Sequence, residues 1–517
     1  MNILGIIQIA DWFLVVIVLA VLIYILTTSN HGKFKEQGIP GPKPLPIFGT
    51  QLEMFTKGMI DVERERYKKY GSLYGTFMGN TPQFIVGRDD LLREILVKQF
   101  DAFANRRSFS DGTEIVDSFL TVLKDDDWKR VRNLMTPTFS SGKLKLMVSQ
   151  MNKCGKSLAE NIGQATKTAG APFETKEFSG CYTMDVIGAT SFGIEVDSLK
   201  NPDSTFVKMA KKIHQFSLFR TIKTVLIMHV LFPFLKGVAR KMGLQLFPKD
   251  AMGFFEQVTI QAMETKKSMP GGNTDLLQLM MNAHNLDITE EQRKENEEFG
   301  ATYEKNAKGG LKMSEITANG VLVFLAGYDT TGILMSLLLY TLAIEQEIQE
   351  KLFQEIQDVA GDKDDIDYND ITKMQYLDMC ISETLRVYPP APMFDRVCER
   401  DITIEGVQFK KGDIIIVPSI SLQFDEKRWP NPEVFDPERF TPEAKKNRGP
   451  FDWMPFGYGP RNCIGMRLAL LEAKVAVIQV LKKQKLVTCE KTKVPLKFDK
   501  IGFKVKEGIW ISAVPRD

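Results

Sequence analysis

The chain is poor in cysteine and has none closely spaced. Six cysteines in 517 residues (Cys154, Cys181, Cys380, Cys398, Cys463 and Cys489) form no C-x-x-C pair. A disulfide framework is therefore excluded, and the pattern fits a reducing compartment. There is also almost no excess charge. Lys and Arg total 67 against 65 Asp and Glu, a formal net charge of +2, so nothing suggests nucleic acid as a partner. No Gly/Ser linker, acidic tail or internal repeat divides the chain. Length alone would suggest several domains, but that prior is soft. What is present in quantity is apolar side chain, 44% of the total, enough for a sizeable core.

No Lys or Arg precedes the first apolar run. Residues 12–26 read WFLVVIVLAVLIYIL, and with the upstream 3–10 they supply about 20 residues, the span of a bilayer helix. Gln8 and Asp11 lie toward one end, where an interface hydrates them. Lys33 and Lys35 follow the run, and the positive-inside rule then places the remainder in the cytosol. A cleaved signal peptide would carry a basic leader and a small-residue cleavage site, and neither is evident. Residues 39–49, IPGPKPLPIFG, are stiffened by alternating prolines. The expected organisation is an anchor at 1–28, a basic and Pro-rich hinge at 29–49, and one large domain at 50–517.

Within that domain, residues 72–78 and 83–87 flank Gly79-Asn80, a hairpin pattern. From about residue 89 to 356 the pattern is mostly helical, including a long amphipathic run over 313–357. Strand signals return at 402–404 and 413–417 and near the C-terminus. The expectation is a mainly α fold with small β-sheets. Residues 224–235, TVLIMHVLFPFL, are too short to span a membrane; they read either as a core helix or as a segment dipping into the bilayer beside a substrate entrance.

The most specific signal is residues 456–465, FGYGPRNCIG. Cys463 supplies a thiolate, a ligand for haem iron. Gly457, Gly459 and Gly465 permit positive φ and close backbone approach. The apolar-periodic stretch after Ile464 reads as a helix, which puts Cys463 at a helix N-terminus where a negative sulfur is favoured. Phe456 is placed to shield the sulfur, and Arg461 to pair with a haem propionate. A second signal is residues 324–332, FLAGYDTTG, inside an apolar helical run. Ala326 and Thr330 are i,i+4 and share a face. Gly327 and Gly332 lower helix propensity, so a local widening that admits water is expected. A hydroxyl beside a carboxylate, Thr330 and Asp329, can deliver protons to an oxygen on that face. The competing reading is a threonine bonded back to its own helix and a solvated aspartate.

F-x-x-G-x-R-x-C-x-G resembles the cysteine signature of the cytochrome P450 superfamily, and A-G-x-D-T its oxygen-activating motif. The resemblance runs from the proline hinge to the C-terminus. Within the superfamily, NRRSF, DDDWKRVRNLMTPTFSSGKLK and FLAGYDTT are similar to the microsomal family 3, subfamily A type. It implies a large single-domain haem-thiolate fold with one N-terminal transmembrane helix, and haem b with an axial Cys463. It implies a monooxygenase that inserts one atom of O2 into lipophilic substrates resembling steroids, fatty acids or xenobiotics. Electrons would come from NADPH through cytochrome P450 reductase, with cytochrome b5 as a further partner, because no G-x-G-x-x-G in a βαβ setting exists in this chain. The implied location is the endoplasmic reticulum membrane. Arg106, Trp128, Arg132, Arg396 and Arg461 are similar to the family's propionate contacts, and Glu383, Arg386 and Arg439 to its Glu-Arg-Arg triad, which braces the cysteine loop. Lys129, Arg130, Lys143, Lys145 and Lys474 form a basic set that reads as a solvated face or as a docking surface for an acidic flavoprotein. Resemblance places substrate contacts at Phe109, Thr121, 216–219, Ala326, 391–394 and 501–503. At Met393 this chain departs from its drug-oxidising relatives, which carry an arginine there. The rival activity is a haem-thiolate isomerase or dehydratase acting on fatty-acid peroxides; such enzymes commonly lose the acid–threonine pair, which is intact here.

Overall fold

The computed structural model describes residues 3–107, 113–168, 170–214, 247–268, 275–283, 310–500 and 503–516. The expectations for 224–235, for Phe109, for 216–219 and for 501–502 lie outside the described residues. Two compact units emerge: a smaller one comprising Met1–Arg107 and Asp395–Pro418, and a larger one built from the described parts of Ser108–Phe216, Phe247–Phe394 and Ser419–Asp517.

The smaller unit begins with helix α1, Ile3–Thr28. Its large apolar side chains from Trp12 to Leu26 are between 41% and 75% exposed. Strands β1 (Leu73–Met78) and β2 (Thr81–Val86) form the expected antiparallel hairpin, with Met78 opposite Thr81 across a two-residue Gly79-Asn80 turn. Gly79 takes φ 60°, which the turn requires. Strand β3 (Phe394–Val397) and strand β4 (Ile414–Val417) complete a sheet in the order β1-β2-β4-β3, with β2 and β4 parallel. All four residues of β4 are buried, as its unbroken Ile-Ile-Ile-Val run demands.

The larger unit is helical. It contains α2 (Asp125–Met135), α3 (Ser141–Ala165), α4 (Thr175–Ile187), α5 (Met313–Ile344), α6 (Gln346–Ala360), α7 (Gln375–Val387) and α8 (Met466–Lys483). A small sheet joins Phe173–Glu174, Trp510–Pro515 and Gln484–Val487. The single run expected over 313–357 is two helices. Glu345 leaves the helical region at φ −89°, ψ 75°. The break turns α6 so that the Gln346 and Gln349 amides donate to Leu486 O at 3.0 and 2.9 Å. Tertiary hydrogen bonds override a continuous local pattern there. α5 itself runs unbroken, so the expected widening is not formed. A Cβ at Gly327 would sit 2.8 Å from Ile187 Cδ1 of α4, so the glycine lies where the two helices pack closely.

Candidate haem-thiolate site

The cysteine loop is shaped by its glycines. Gly457 and Gly459 hold φ of 74° and 77°, a region that costs other L-residues energy. Asn462 N–H donates to Gly459 O at 3.0 Å, and Cys463 N–H donates to Phe456 O at 2.8 Å. The loop then feeds α8, whose N-cap is Gly465, two residues after Cys463, as anticipated. Of the six cysteines, only Cys463 is exposed. Burial pushes the Cys154 and Cys181 thiols up to about 12 and Cys398 up to about 11. Those sulfurs are disfavoured as thiolates.

Three cationic or aromatic candidates gather behind this loop. Arg132, on the buried face of α2, donates to Asn462 O at 3.0 Å and Asn462 Oδ1 at 2.8 Å. Arg461 donates to Leu123 O at 2.5 Å, and its guanidinium lies 4.6 Å from the centre of the Trp128 ring. Trp128 and Arg132 share a helix face because they are i,i+4. Arg106 and Arg396 belong to the smaller unit and adjoin each other along the chain pairing there, where Val397 N–H donates to Asn105 O at 2.8 Å. Arg396 is fully buried and donates to Asp395 O at 2.7 Å.

On α5, Ala326 and Thr330 are exposed while Phe324, Leu325, Tyr328 and Thr331 around them are buried. One small apolar and one hydroxyl-bearing position are thus presented together. Thr330 Oγ1 donates to Ala326 O at 2.7 Å, the back-bonded arrangement, yet the oxygen retains acceptor capacity. Asp329 is not simply solvated: Lys176 of α4 pairs with it at 3.1 Å. Thr183 of the same helix donates to Tyr328 O at 3.0 Å.

Glu383, Arg386 and Arg439 do converge. Arg386 donates to both Glu383 oxygens at 2.6 and 2.7 Å, and Arg439 Nε lies 3.5 Å from Glu383 Oε1. Burial raises the Glu383 carboxyl's affinity for a proton, and the Arg386 hydrogen bonds and charge oppose it. Arg386 also donates to Gln423 O at 2.9 Å, and the Gln423 amide oxygen accepts from Met454 N–H at 3.3 Å. A chain of contacts therefore reaches the residues just before the cysteine loop. The basic set is smaller than anticipated. Arg130 pairs with Glu315 and Asp127, and Lys474 with Asp378 at 2.7 Å.

An exposed thiol in a Gly-shaped loop at a helix head, with buried guanidiniums behind it, is a donor set that fits haem with an axial thiolate. Comparison with known proteins agrees. The family described as Cytochrome P450 matches residues 39–511. The chain belongs to the cytochrome P450 family. It is 39% identical to cytochrome P450 3A1 and 40% identical to cytochrome P450 3A2, both of Rattus norvegicus; each alignment covers 100% of this chain and 99% of the relative. Cytochrome P450 3A41 of Mus musculus is 39% identical with the same coverage. As a cytochrome P450 the protein is a haem-thiolate monooxygenase, an oxidoreductase that uses O2 on lipophilic substrates.

The sequence reading missed Asn462, Lys176 and Thr183. Asn462 could have been found from its place beside Cys463. Lys176 and Thr183 gave no local signal, since their partners lie some 150 residues away along the chain.

Proposed function

We propose that the Cys463 sulfur would hold the haem iron and that Thr330 and Asp329 would handle the protons that O2 activation consumes. The observation that carries this reading is the exposure of Cys463 at the head of α8 while the chain's other thiols are wholly or partly buried. Haem with an axial thiolate supplies the activation of O2. The protein supplies the rest. Positive-φ glycines would let the loop backbone approach the ring closely, Phe456 would screen the sulfur from water once haem is bound, and Gly465 opens α8 beside it. Trp128, Arg132 and Arg461, in the larger unit, carry donors that would hold a propionate; Arg106 and Arg396, in the smaller unit, are assigned to the propionates by the family resemblance alone. Arg132 would extend from Asn462 to that role, coupling one propionate to the residue next to the ligand. Thr330 Oγ1 holds a proton on the exposed face next to Ala326, and Asp329 Oδ1 hands protons on from the Lys176 side. The relay counts against an isomerase or dehydratase of fatty-acid peroxides, which needs neither group.

Electrons are proposed to come from NADPH through cytochrome P450 reductase, with cytochrome b5 as a second donor. Lys143 and Lys145, with Lys129, whose pair with the exposed Asp126 spans 3.8 Å, are the members of the basic set proposed to steer an acidic partner. α1 is proposed to cross the endoplasmic reticulum membrane once: 26 residues extend about 39 Å, more than the roughly 30 Å hydrocarbon core. The rest of the chain then lies on the cytosolic side.

The deciding experiment is the carbon-monoxide spectrum of the reduced protein. Cys463→Ala abolishes the red-shifted band, and an unchanged band removes Cys463 as the ligand. Thr330→Ala lowers product per NADPH consumed and releases peroxide; fully coupled turnover would overturn the relay.

A further inference from the structure

One buried side chain of α5 holds a distant stretch of chain against that helix. Asn319 is 1% exposed. Its Oδ1 accepts from Leu120 N–H at 2.9 Å, and its Nδ2 donates to Ser118 O at 3.2 Å and to Glu315 O of its own helix at 2.8 Å. The amide thus answers one donor and one acceptor of the strap 118–123 while α5 fixes the amide itself. The strap is a tight fold of its own. Val122 and Leu123 N–H both donate to Phe119 O, at 2.8 and 2.9 Å. Phe119 and Leu120 are buried, and Thr121 between them and the turn's end is exposed.

The other end of the strap is tied to the cysteine loop. Leu123 O accepts from Arg461, two residues before Cys463 in the chain, at 2.5 Å. At the first end, Asn319 stands seven residues before Ala326. Seven residues are close to two helical turns, so Asn319 lies on the face of α5 that carries Ala326 and Thr330. The space between that face and the cysteine loop is where haem and substrate belong. A strap pinned to both walls of the space runs along its border. Just beyond, Arg130 of α2 pairs with Glu315 of α5, so the chain that leaves the strap is also held to the same wall.

We propose that Asn319 is a specificity-determining positioning residue. By fixing Ser118 and Leu120 it sets where Thr121 stands at the border of the site, and so how the site receives large ligands. The proposal rests on the reading of Cys463 as the residue that would hold haem. A wall held in advance costs a ligand nothing to order, whereas a loose wall must be ordered on binding. A small ligand that reaches only the iron does not meet the strap.

The test uses the full-length haem-loaded protein in detergent and two nitrogen ligands for haem iron. One is imidazole; the other is 1-tritylimidazole, the same ring carrying a bulky triphenylmethyl group. Dissociation constants are read from the shift of the haem absorption band. Asn319→Ala should bind imidazole within about twofold of the parent and tritylimidazole about five- to tenfold more weakly. Hydrogen exchange at the Leu120 amide should speed roughly tenfold. Asn319→Asp keeps the acceptor for Leu120 N–H but loses the amide donor to Ser118 O, and should fall between on both readouts. If Asn319→Ala takes up no haem, Asn319→Asp decides alone. Equal weakening of both ligands assigns the loss to general loosening and overturns the proposal, as does tritylimidazole binding that is unchanged or tighter. Unaltered exchange at Leu120 refutes the clasp. If the parent shows no shift with imidazole, the haem reading itself falls and takes this inference with it.

Discussion

Two helices of this protein, α1 and α5, are built of nearly the same material and occupy opposite surroundings. Each has more than 25 residues and each is dominated by Leu, Ile, Val and Ala. α1 turns its Val and Leu side chains outward along 12–26, while most of α5 is buried. The difference is legible in the polar residues. Between Trp12 and Leu26 the only polar atoms on side chains are the Trp12 indole and the Tyr24 hydroxyl. α5 carries Glu315, Asn319, Asp329, Thr330, Ser336 and Thr341, and each has a protein partner. Thr330, Ser336 and Thr341 bond back to their own helix, whereas Glu315, Asn319 and Asp329, the strongly polar ones, are answered by Arg130, by the backbone of residues 118–120 and by Lys176. A helix in lipid has no such neighbours and carries few.

The sharpest way to break the comparison is to put the same charge in both helices. Leu338 of α5 is 0% exposed. Leu338→Asp buries a carboxyl with nothing to answer it and should cost more than about 4 kcal/mol, leaving little folded protein. Val16→Asp at the middle of α1 should leave the thermal transition of detergent-solubilised protein unchanged. It should weaken membrane insertion by about 2.5–3.5 kcal/mol, seen as protein lost from the membrane pellet. If Val16→Asp unfolds the soluble part, or Leu338→Asp is tolerated, the two environments have been assigned wrongly.

A smaller effect tests whether the polar groups of α5 are truly answered from outside. Asn319 Oδ1 accepts from Leu120 N–H at 2.9 Å, and its Nδ2 donates to Ser118 O at 3.2 Å. Asn319→Leu makes α5 more like α1 in composition but strands the buried Leu120 N–H. A loss of about 2–3 kcal/mol is expected from urea unfolding. A gain in stability would mean that burial of the added apolar surface outweighs the lost bonds.

The same contrast explains what could be read from sequence. The cysteine loop, the Ala326–Thr330 face, the Gly79-Asn80 hairpin and the Glu383–Arg386 pair are each encoded in one short stretch of chain, none longer than 16 residues, and local spacing is enough to place them. What escaped is long-range. Asp329 pairs with Lys176, which local spacing did not announce, and the anticipated docking cations Arg130 and Lys474 are occupied by Glu315 and Asp378. Each partner lies more than 90 residues away, where periodicity carries no information. The break at Glu345 escaped for the same reason: the hydrogen bonds that favour it end on Leu486.

The smallest predicted effect concerns the first turn of α5, which has no counterpart in α1. Glu315 accepts from Lys312 N–H at 2.9 Å and from Arg130 Nη1 at 3.0 Å. Burial works against its charge, but the Arg130 hydrogen bonds and the Lys312 N–H outweigh it and hold the carboxyl below its ordinary value of 4.5. The negative charge also suits a helix N-terminus. A carboxyl whose folded pKa is depressed contributes stability that is complete above the unfolded value and fades as pH falls through the folded one. Glu315→Gln should therefore lower the urea midpoint at pH 7 by an amount worth about 1 kcal/mol. The gap between variant and parent should narrow as the pH is taken below 4.5, where the parent carboxyl takes up its proton. A gap that stays constant across that range would assign the loss to shape and hydrogen-bond geometry, with charge playing no part at the head of this helix.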